Sequence, residues 1–229
     1  MYPQHLVFFD VDGTLTEHRK KINSSFQREF TAWAAGKQCF ISTGSDYRKT
    51  VEQIGNTVKI FKSIFCCMSN EIRDPDGGII YKSNFTIPQE LEYDLGELLK
   101  KSKYPLRTGT HLEFRTGMLN FSIIGRNANH IERKEYSEWD KINKERERIV
   151  QFINKNYPTL EASIGGSISV DIIEESCDKG QTIHFLENHG ATKVVFVGDR
   201  CSPGGNDYGI IRELKKSSMT HEWYNVSGP

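Results

Sequence analysis

The sequence predicts an α/β fold, a parallel-sheet core interrupted by an α+β insertion and then resumed. Three observations predict it. Short apolar runs at Leu6–Phe9, Cys39–Ile41, Ile64–Cys67 and within Lys193–Val197 read as buried strands. Helical patterns separate them, as βα units require. Between about residues 84 and 176 the pattern changes to amphipathic helices and antiparallel strands. The core therefore spans 1–83 and 177–229, and the insertion 84–176.

The elements follow in order. After the first strand, Asn23 to Trp33 reads as a helix that Ser24 or Ser25 can cap. The second strand ends at Ser42-Thr43-Gly44-Ser45-Asp46, and a helix runs from about Asp46 to Ile54. The third strand leads to a turn, Asp74-Pro75-Asp76-Gly77-Gly78, of a hairpin ending at Ile79–Tyr81. In the insertion, Pro88 to Lys101 is a helix with Leu91, Leu95, Leu98 and Leu99 on one face. His111 to Arg115, Met118 to Ile124 and Leu160 to Ile173 read as antiparallel strands. A charged helix, about Tyr136 to Asn154, buries Ile142, Ile149, Phe152 and Ile153, its charges forming a solvated face. Lys179 to Asn188 is a helix stopped by Gly190, and the strand ending at Gly198-Asp199 leads to a last helix, about Asn206 to Lys216.

Bulk properties exclude several classes. The 229 residues are 37% hydrophobic and 26% charged, with 30 Lys+Arg against 30 Asp+Glu. Zero formal net charge argues against nucleic acid or an anionic membrane as the main partner. No stretch approaches a membrane span or a secretory signal. Five cysteines without a C-x-x-C pair suit reduced thiols and a cytoplasmic protein.

The chemistry concentrates at strand ends. Asp10-Val11-Asp12-Gly13-Thr14-Leu15-Thr16 follows the first strand, so two carboxylates stand where open α/β sheets place ligands. Asp10 can attack phosphorus as a nucleophile, and Asp12 can give and take the proton of the leaving and incoming oxygens. Thr43 or Ser45 can donate to phosphate oxygens, and Lys179 can neutralise phosphate and nucleophile. Asp199 and Asp207 lie on the Gly-rich loop Gly198–Asp207; with Asp10 and Asp12 they make a set of hard oxygen donors suited to Mg²⁺. In the insertion, Arg115, Arg126 and Arg133 suggest a substrate with a second phosphate, or a sugar phosphate that binds in two orientations, while Ser, Asn and Asp suit sugar hydroxyls.

The order of Asp10/Asp12, Thr43 or Ser45, Lys179 and Asp199/Asp207 resembles the four motifs of the haloacid dehalogenase (HAD) superfamily. Asp10–Thr16, Arg19–Ile22, Phe114–Arg126, Gly165–Asp171, Asp178-Lys179 and Pro203–Asp207 together resemble eukaryotic-type phosphomannomutases over nearly the whole chain. The resemblance implies a HAD-like core with an inserted cap, and interconversion of mannose 6-phosphate and mannose 1-phosphate. It also implies Mg²⁺, a hexose 1,6-bisphosphate activator and a homodimer formed through the caps. On matching positions, Arg19, Arg115, Arg126, Arg133, Ser169 and Asp171 would hold substrate, and Met118 and Asn120 would line the cap site. The sequence departs from that family at Thr43-Gly44-Ser45, at Ser69-Asn70-Glu71 and at Cys177. A sugar-phosphate phosphatase on the same scaffold is the alternative activity. A non-catalytic sugar-phosphate binder would have lost Asp10 or Asp12, and both are present.

Overall fold

The computed structural model describes residues 5–229. In chain order the elements are β1 (Leu6–Phe9), α1 (Ser24–Ala34), β2 (Gln38–Ser42), α2 (Tyr47–Ile54), β3 (Ile64–Cys66), β4 (Glu71–Arg73), β5 (Ile79–Lys82), α3 (Gln89–Lys101), β6 (Leu112–Arg115), β7 (Met118–Phe121), α4 (His130–Asn143), α5 (Glu145–Asn156), β8 (Leu160–Gly165), β9 (Ser169–Glu174), α6 (Gln181–Asn188), β10 (Lys193–Gly198), α7 (Tyr208–Leu214) and β11 (Thr220–Asn225). The chain divides into two compact units: one runs to Ser83 and resumes over Cys177–Pro229, the other is Asn84–Ser176. No helix among the described residues is long and apolar enough to cross a membrane.

The first unit is built on a seven-stranded sheet in the order β11-β10-β1-β2-β3-β4-β5. Its first five strands are parallel, and β4 and β5 add an antiparallel edge. Alternate residues of β1 serve opposite faces. Phe8 stacks on Phe40 at 4.8 Å and meets Phe65 edge-on at 5.4 Å, within a cluster completed by Ile183, Leu186, Ile210 and Leu214 of α6 and α7. Phe9 points the other way and meets Phe30 of α1 edge-on at 5.1 Å. Helices thus cover both faces, which is why the central strands read as continuous apolar runs. Parallel pairing brings the C-terminal ends of β1, β2 and β10 to one edge: Asp10, Thr43 and Asp199 each follow directly.

The second unit is a four-stranded antiparallel sheet, β6-β7-β9-β8, covered on one face by α3, α4 and α5. Leu119, Phe121, Val170, Ile172, Leu160 and Ala162 form the apolar face and pack with Leu91, Leu95, Tyr136, Ile149 and Ile153.

Six expectations need correction. Asn23, not Ser24 or Ser25, caps α1: its Oδ1 accepts from Ser25 N at 2.9 Å and Phe26 N at 3.2 Å. The charged helix is two helices that break at Lys144, whose backbone is left-handed (φ 54°). The break turns Ile142 out to solvent, 84% exposed rather than buried. It is held by Asp140, which accepts from Arg146 N at 3.0 Å and Arg146 Nε at 2.7 Å. Leu160 to Ile173 is not one strand but the hairpin β8–β9, turning through Gly166 with φ 43°. Finally, Lys179 lies in the turn before α6 rather than within it, and the last helix begins at Tyr208 rather than Asn206.

Candidate active site

Asp10 leaves β1 with its backbone still paired, donating its N–H to Val197 O at 2.9 Å. Its side chain is buried, as are those of Lys179 and Asp207. Lys179 Nζ donates to Asp10 Oδ1 at 2.5 Å and to Asp207 Oδ1 at 2.7 Å. A buried ammonium between two carboxylates resists deprotonation: burial alone would lower its pKa, but Asp10 and Asp207 together raise it well above the ordinary lysine value. Burial is also the main force raising the Asp10 carboxyl; Lys179 opposes it, and Asp207 and Asp12 add to it. Asp199 is raised by burial and by Asp207, with His18 acting against the shift from 3.6 Å.

Lys179 owes its position to its neighbours. Asp178 caps the turn by accepting from Gly180 N at 2.7 Å, and pairs with Arg212 of α7 at 3.0 Å. Gly180 and Gly209 lie so close to Asp178 that a Cβ at either would collide with its carboxylate. Asp207 is fixed through Oδ2, which accepts from Arg200 N at 3.1 Å.

Asp10, Asp199 and Asp207 each offer an oxygen, and these three atoms lie within 4.8 Å of one another. Asp10 Oδ2 and Asp199 Oδ1 are buried with no hydrogen-bond partner among the described residues. Gly13, at φ +91°, leaves room for Asp199, whose Oδ2 a Cβ there would strike. One ammonium does not balance three clustered carboxylates, two buried and one half-buried, and orphaned carboxylate oxygens in that setting suit a divalent cation. The residues present therefore fit Mg²⁺. The Asp12 side chain lies outside this cluster. Its Oδ1 accepts from Arg19 N at 2.7 Å and from Gln53 Nε2 at 2.8 Å. Of Arg19, then, the backbone reaches Asp12, at a left-handed residue of φ 60°.

At the end of β2, Thr43 is buried and Ser45 half-buried. Thr43 Oγ1 accepts from Ser45 N at 3.1 Å, so its proton remains available to an incoming oxygen. Facing this turn, Cys67, Met68 and Ser69 adopt three consecutive left-handed conformations, φ 51°, 59° and 72°. Each such residue costs roughly 1–2 kcal/mol. The turn is tied down by Cys67 N to Ser45 O at 3.0 Å, Met68 N to Thr43 O at 3.1 Å, and the Ser69 and Thr182 hydroxyls at 2.6 Å.

In the second unit, strand register explains which polar residues meet. Arg115 lies opposite Met118, Glu113 opposite Asn120, and Asn120 opposite Asp171, with Ser169 two residues along β9. All share the face that the helices leave open. Asn120 Nδ2 donates to Asp171 Oδ1, and Ser169 Oγ donates to Gly165 O at 3.1 Å. Glu113 joins two arginines: Oε1 accepts from Arg115 Nη2 at 2.7 Å and Oε2 from Arg126 Nε at 2.9 Å. Arg133, on α4, donates to main chain through Nε, to Ala128 O at 2.7 Å, and through Nη2, to Arg126 O at 2.5 Å. Burial, then Arg126, lowers its pKa.

Sequence reasoning missed Gln53 and Glu113. Neither stands in a strand-end motif. Only the Glu-x-Arg spacing of Glu113 and Arg115, which puts both on one strand face, hinted at the pair.

This geometry agrees with the comparisons to known proteins. A family model described as eukaryotic phosphomannomutase matches residues 31–226. The phosphomannomutase of Saccharomyces cerevisiae is 35% identical over 227 residues, covering 91% of this chain and 85% of that protein. Phosphomannomutase 1 of Homo sapiens is 33% identical over 223 residues, covering 91% and 83%. Among solved structures, a haloacid dehalogenase-like hydrolase from Bacteroides thetaiotaomicron superposes with a TM-score of 0.61 at 14% identity, covering 95% of this chain and 87% of that one, a likeness of fold. The α/β core with its inserted α+β unit is thus a HAD-type fold, and the chain belongs to the eukaryotic phosphomannomutase family.

Proposed function

We propose that the protein interconverts mannose 6-phosphate and mannose 1-phosphate by phosphoryl transfer through Asp10. The family supplies the substrate class. The observation that carries the chemistry is the buried Asp10–Lys179–Asp207 arrangement at the end of the central strand.

In this reading Asp10 Oδ2 attacks the phosphorus of a hexose 1,6-bisphosphate. The P–O bond to the sugar breaks, and the leaving oxygen takes a proton from Asp12. Lys179 holds the other Asp10 oxygen and keeps the nucleophile oriented. Thr43 or Ser45 donates to a phosphate oxygen. A sugar monophosphate then attacks the aspartyl-phosphate. Its hydroxyl proton passes to Asp12, the P–O bond to Asp10 breaks, and Asp10 is returned as carboxylate. Mg²⁺, which Asp10, Asp199 and Asp207 would hold, supplies positive charge against the phosphate when bound.

The polar face of β6, β7 and β9 supports sugar-phosphate recognition by the second unit. Arg115 and Arg126, with Arg19 and Arg133, are the proposed partners of the non-reacting phosphate. Met118, Asn120, Ser169 and Asp171 are the proposed sugar contacts. Hexose 1,6-bisphosphate is the proposed activator, because it charges Asp10 with phosphate. We place the protein in the cytoplasm as a homodimer joined through the inserted unit. The five free cysteines support a reducing compartment, and exposed Ile131, Ile142 and Tyr93 on α4 and α3 support association.

A coupled assay with mannose 1-phosphate, run with and without glucose 1,6-bisphosphate, tests the reading. Isomerisation that depends on the bisphosphate supports it. Steady release of inorganic phosphate without isomerisation would assign a phosphatase instead.

A further inference from the structure

We infer that Gln53 is a positioning residue that dedicates one oxygen of Asp12 to proton transfer. The inference rests on the acid/base role proposed for Asp12.

Gln53 closes α2 and is buried, with about a tenth of its surface exposed (9%). Its amide nitrogen donates to Asp12 Oδ1 at 2.8 Å and to Thr16 Oγ1 at 3.3 Å. The Thr16 hydroxyl itself donates to Val11 O at 3.3 Å, so it receives rather than gives at Gln53. Both neighbours of the amide are therefore acceptors. Only the NH₂ end of the side chain can face them, which settles its orientation. The backbone of Gln53 is held too, its carbonyl accepting from Ile22 N at 2.8 Å. A donor buried at its reach and fixed at its root restrains whatever accepts from it.

Asp12 Oδ1 receives a second donor, Arg19 N, at 2.7 Å. These bonds come from opposite ends of the sequence neighbourhood, one from the loop after Asp12 and one from α2. Together they fix the carboxylate plane and occupy Oδ1. Asp12 Oδ2 has no hydrogen-bond partner among the described residues, so it is the oxygen left for the sugar proton. The protonated acid then carries its hydrogen on Oδ2. That proton goes to the sugar oxygen as the P–O bond breaks, and in the reverse half Oδ2 takes it from the attacking hydroxyl. Without Gln53, the carboxylate can rotate about its χ angles and present either oxygen, or neither. General acid/base help demands hydrogen-bond reach to the reacting oxygen, so loss of aim costs rate while leaving substrate affinity intact.

The test compares Gln53→Leu with the native protein in two reactions, with melting temperature as a check on folding. One is bisphosphate-dependent isomerisation of mannose 1-phosphate, which needs the Asp12 proton in both halves. The other is the pre-steady-state burst of nitrophenolate from para-nitrophenyl phosphate, whose acidic leaving group departs without a proton. The expected result is a kcat for isomerisation lower by about tenfold or more, out of the roughly 10²–10⁴-fold a placed acid/base provides. KM and the burst rate should stay within about twofold. If Gln53→Leu fails to fold, Gln53→Met is read instead, since it keeps the length of the side chain but has no donor. An unchanged kcat in a folded variant overturns the inference. So does an equal fall in kcat and burst rate, which would make Gln53 a prop for the Asp10 loop. If the native protein isomerises no hexose phosphate, the mutase reading fails by itself. Gln53 is then judged on phosphate release from mannose 6-phosphate, whose leaving oxygen needs the same proton; an equal rate in native and variant overturns it there.

Discussion

Lys179 Nζ lies 2.5 Å from Asp10 Oδ1, although the two residues are 169 positions apart in the chain. The pair joins the first strand of the core to the segment that resumes it after the insertion. It makes nucleophile and fold interdependent, and the following expectations start from it.

Asp10→Asn is isosteric, so the protein should fold while losing its nucleophile. Both isomerisation and aryl-phosphate turnover should vanish. Residual turnover well above background, in protein with a native melting profile, would remove Asp10 from that role.

Lys179→Met keeps the volume and leaves Asp10 and Asp207 buried without their ammonium. Breaking a buried ion pair by deleting one partner typically costs about 3–5 kcal/mol. Urea unfolding should show a loss of that order, together with loss of activity. A stability change under about 1 kcal/mol would mean the carboxylates are better solvated than their burial implies.

The raised carboxyls give metal-free protein a defined pH dependence. Burial raises Asp10 from its ordinary 3.8 to about 8. The folded state therefore holds a proton that the unfolded chain has already released. That contribution is full below about pH 4 and is lost as pH rises through the folded value of about 8. Asp199 acts in the same direction. Mg²⁺ replaces those protons, so the rise in melting temperature on adding Mg²⁺ should be larger at pH 8 than at pH 5. An equal rise at both would separate metal binding from these carboxylates.

Arg126→Ala should remove one charge-assisted bond to the non-reacting phosphate. Such bonds are worth roughly 1.5–3 kcal/mol, tens-fold in kcat/KM. The loss should appear with sugar phosphates and not with an aryl phosphate that has no second phosphate. Equal losses with both would place Arg126 outside recognition.

Much of the core was legible because its strands are buried on both faces: β1 and β10 are unbroken apolar runs ending in Asp10 and Gly198-Asp199. Pairing in parallel then brought the motifs to one edge without further information. What stayed hidden depends on single conformations or long-range contacts. The α4–α5 break has neither Gly nor Pro at Lys144; the Asp140–Arg146 ion pair, which needs the fold, holds it. β11 is exposed along almost its whole length, so Thr220–Asn225 carries no apolar run to mark it. Gln53 looked like any helical glutamine, since its meaning lies in an oxygen 41 residues away.

The central claim is that Asp10 carries the phosphoryl group and passes it to a sugar. Rapid acid quench after mixing with labelled glucose 1,6-bisphosphate, followed by peptide mapping, tests it most directly. The account predicts label on Asp10 that disappears into hexose bisphosphate when mannose 1-phosphate is added. Label on another residue, or label lost only as inorganic phosphate in the presence of that sugar, would contradict it.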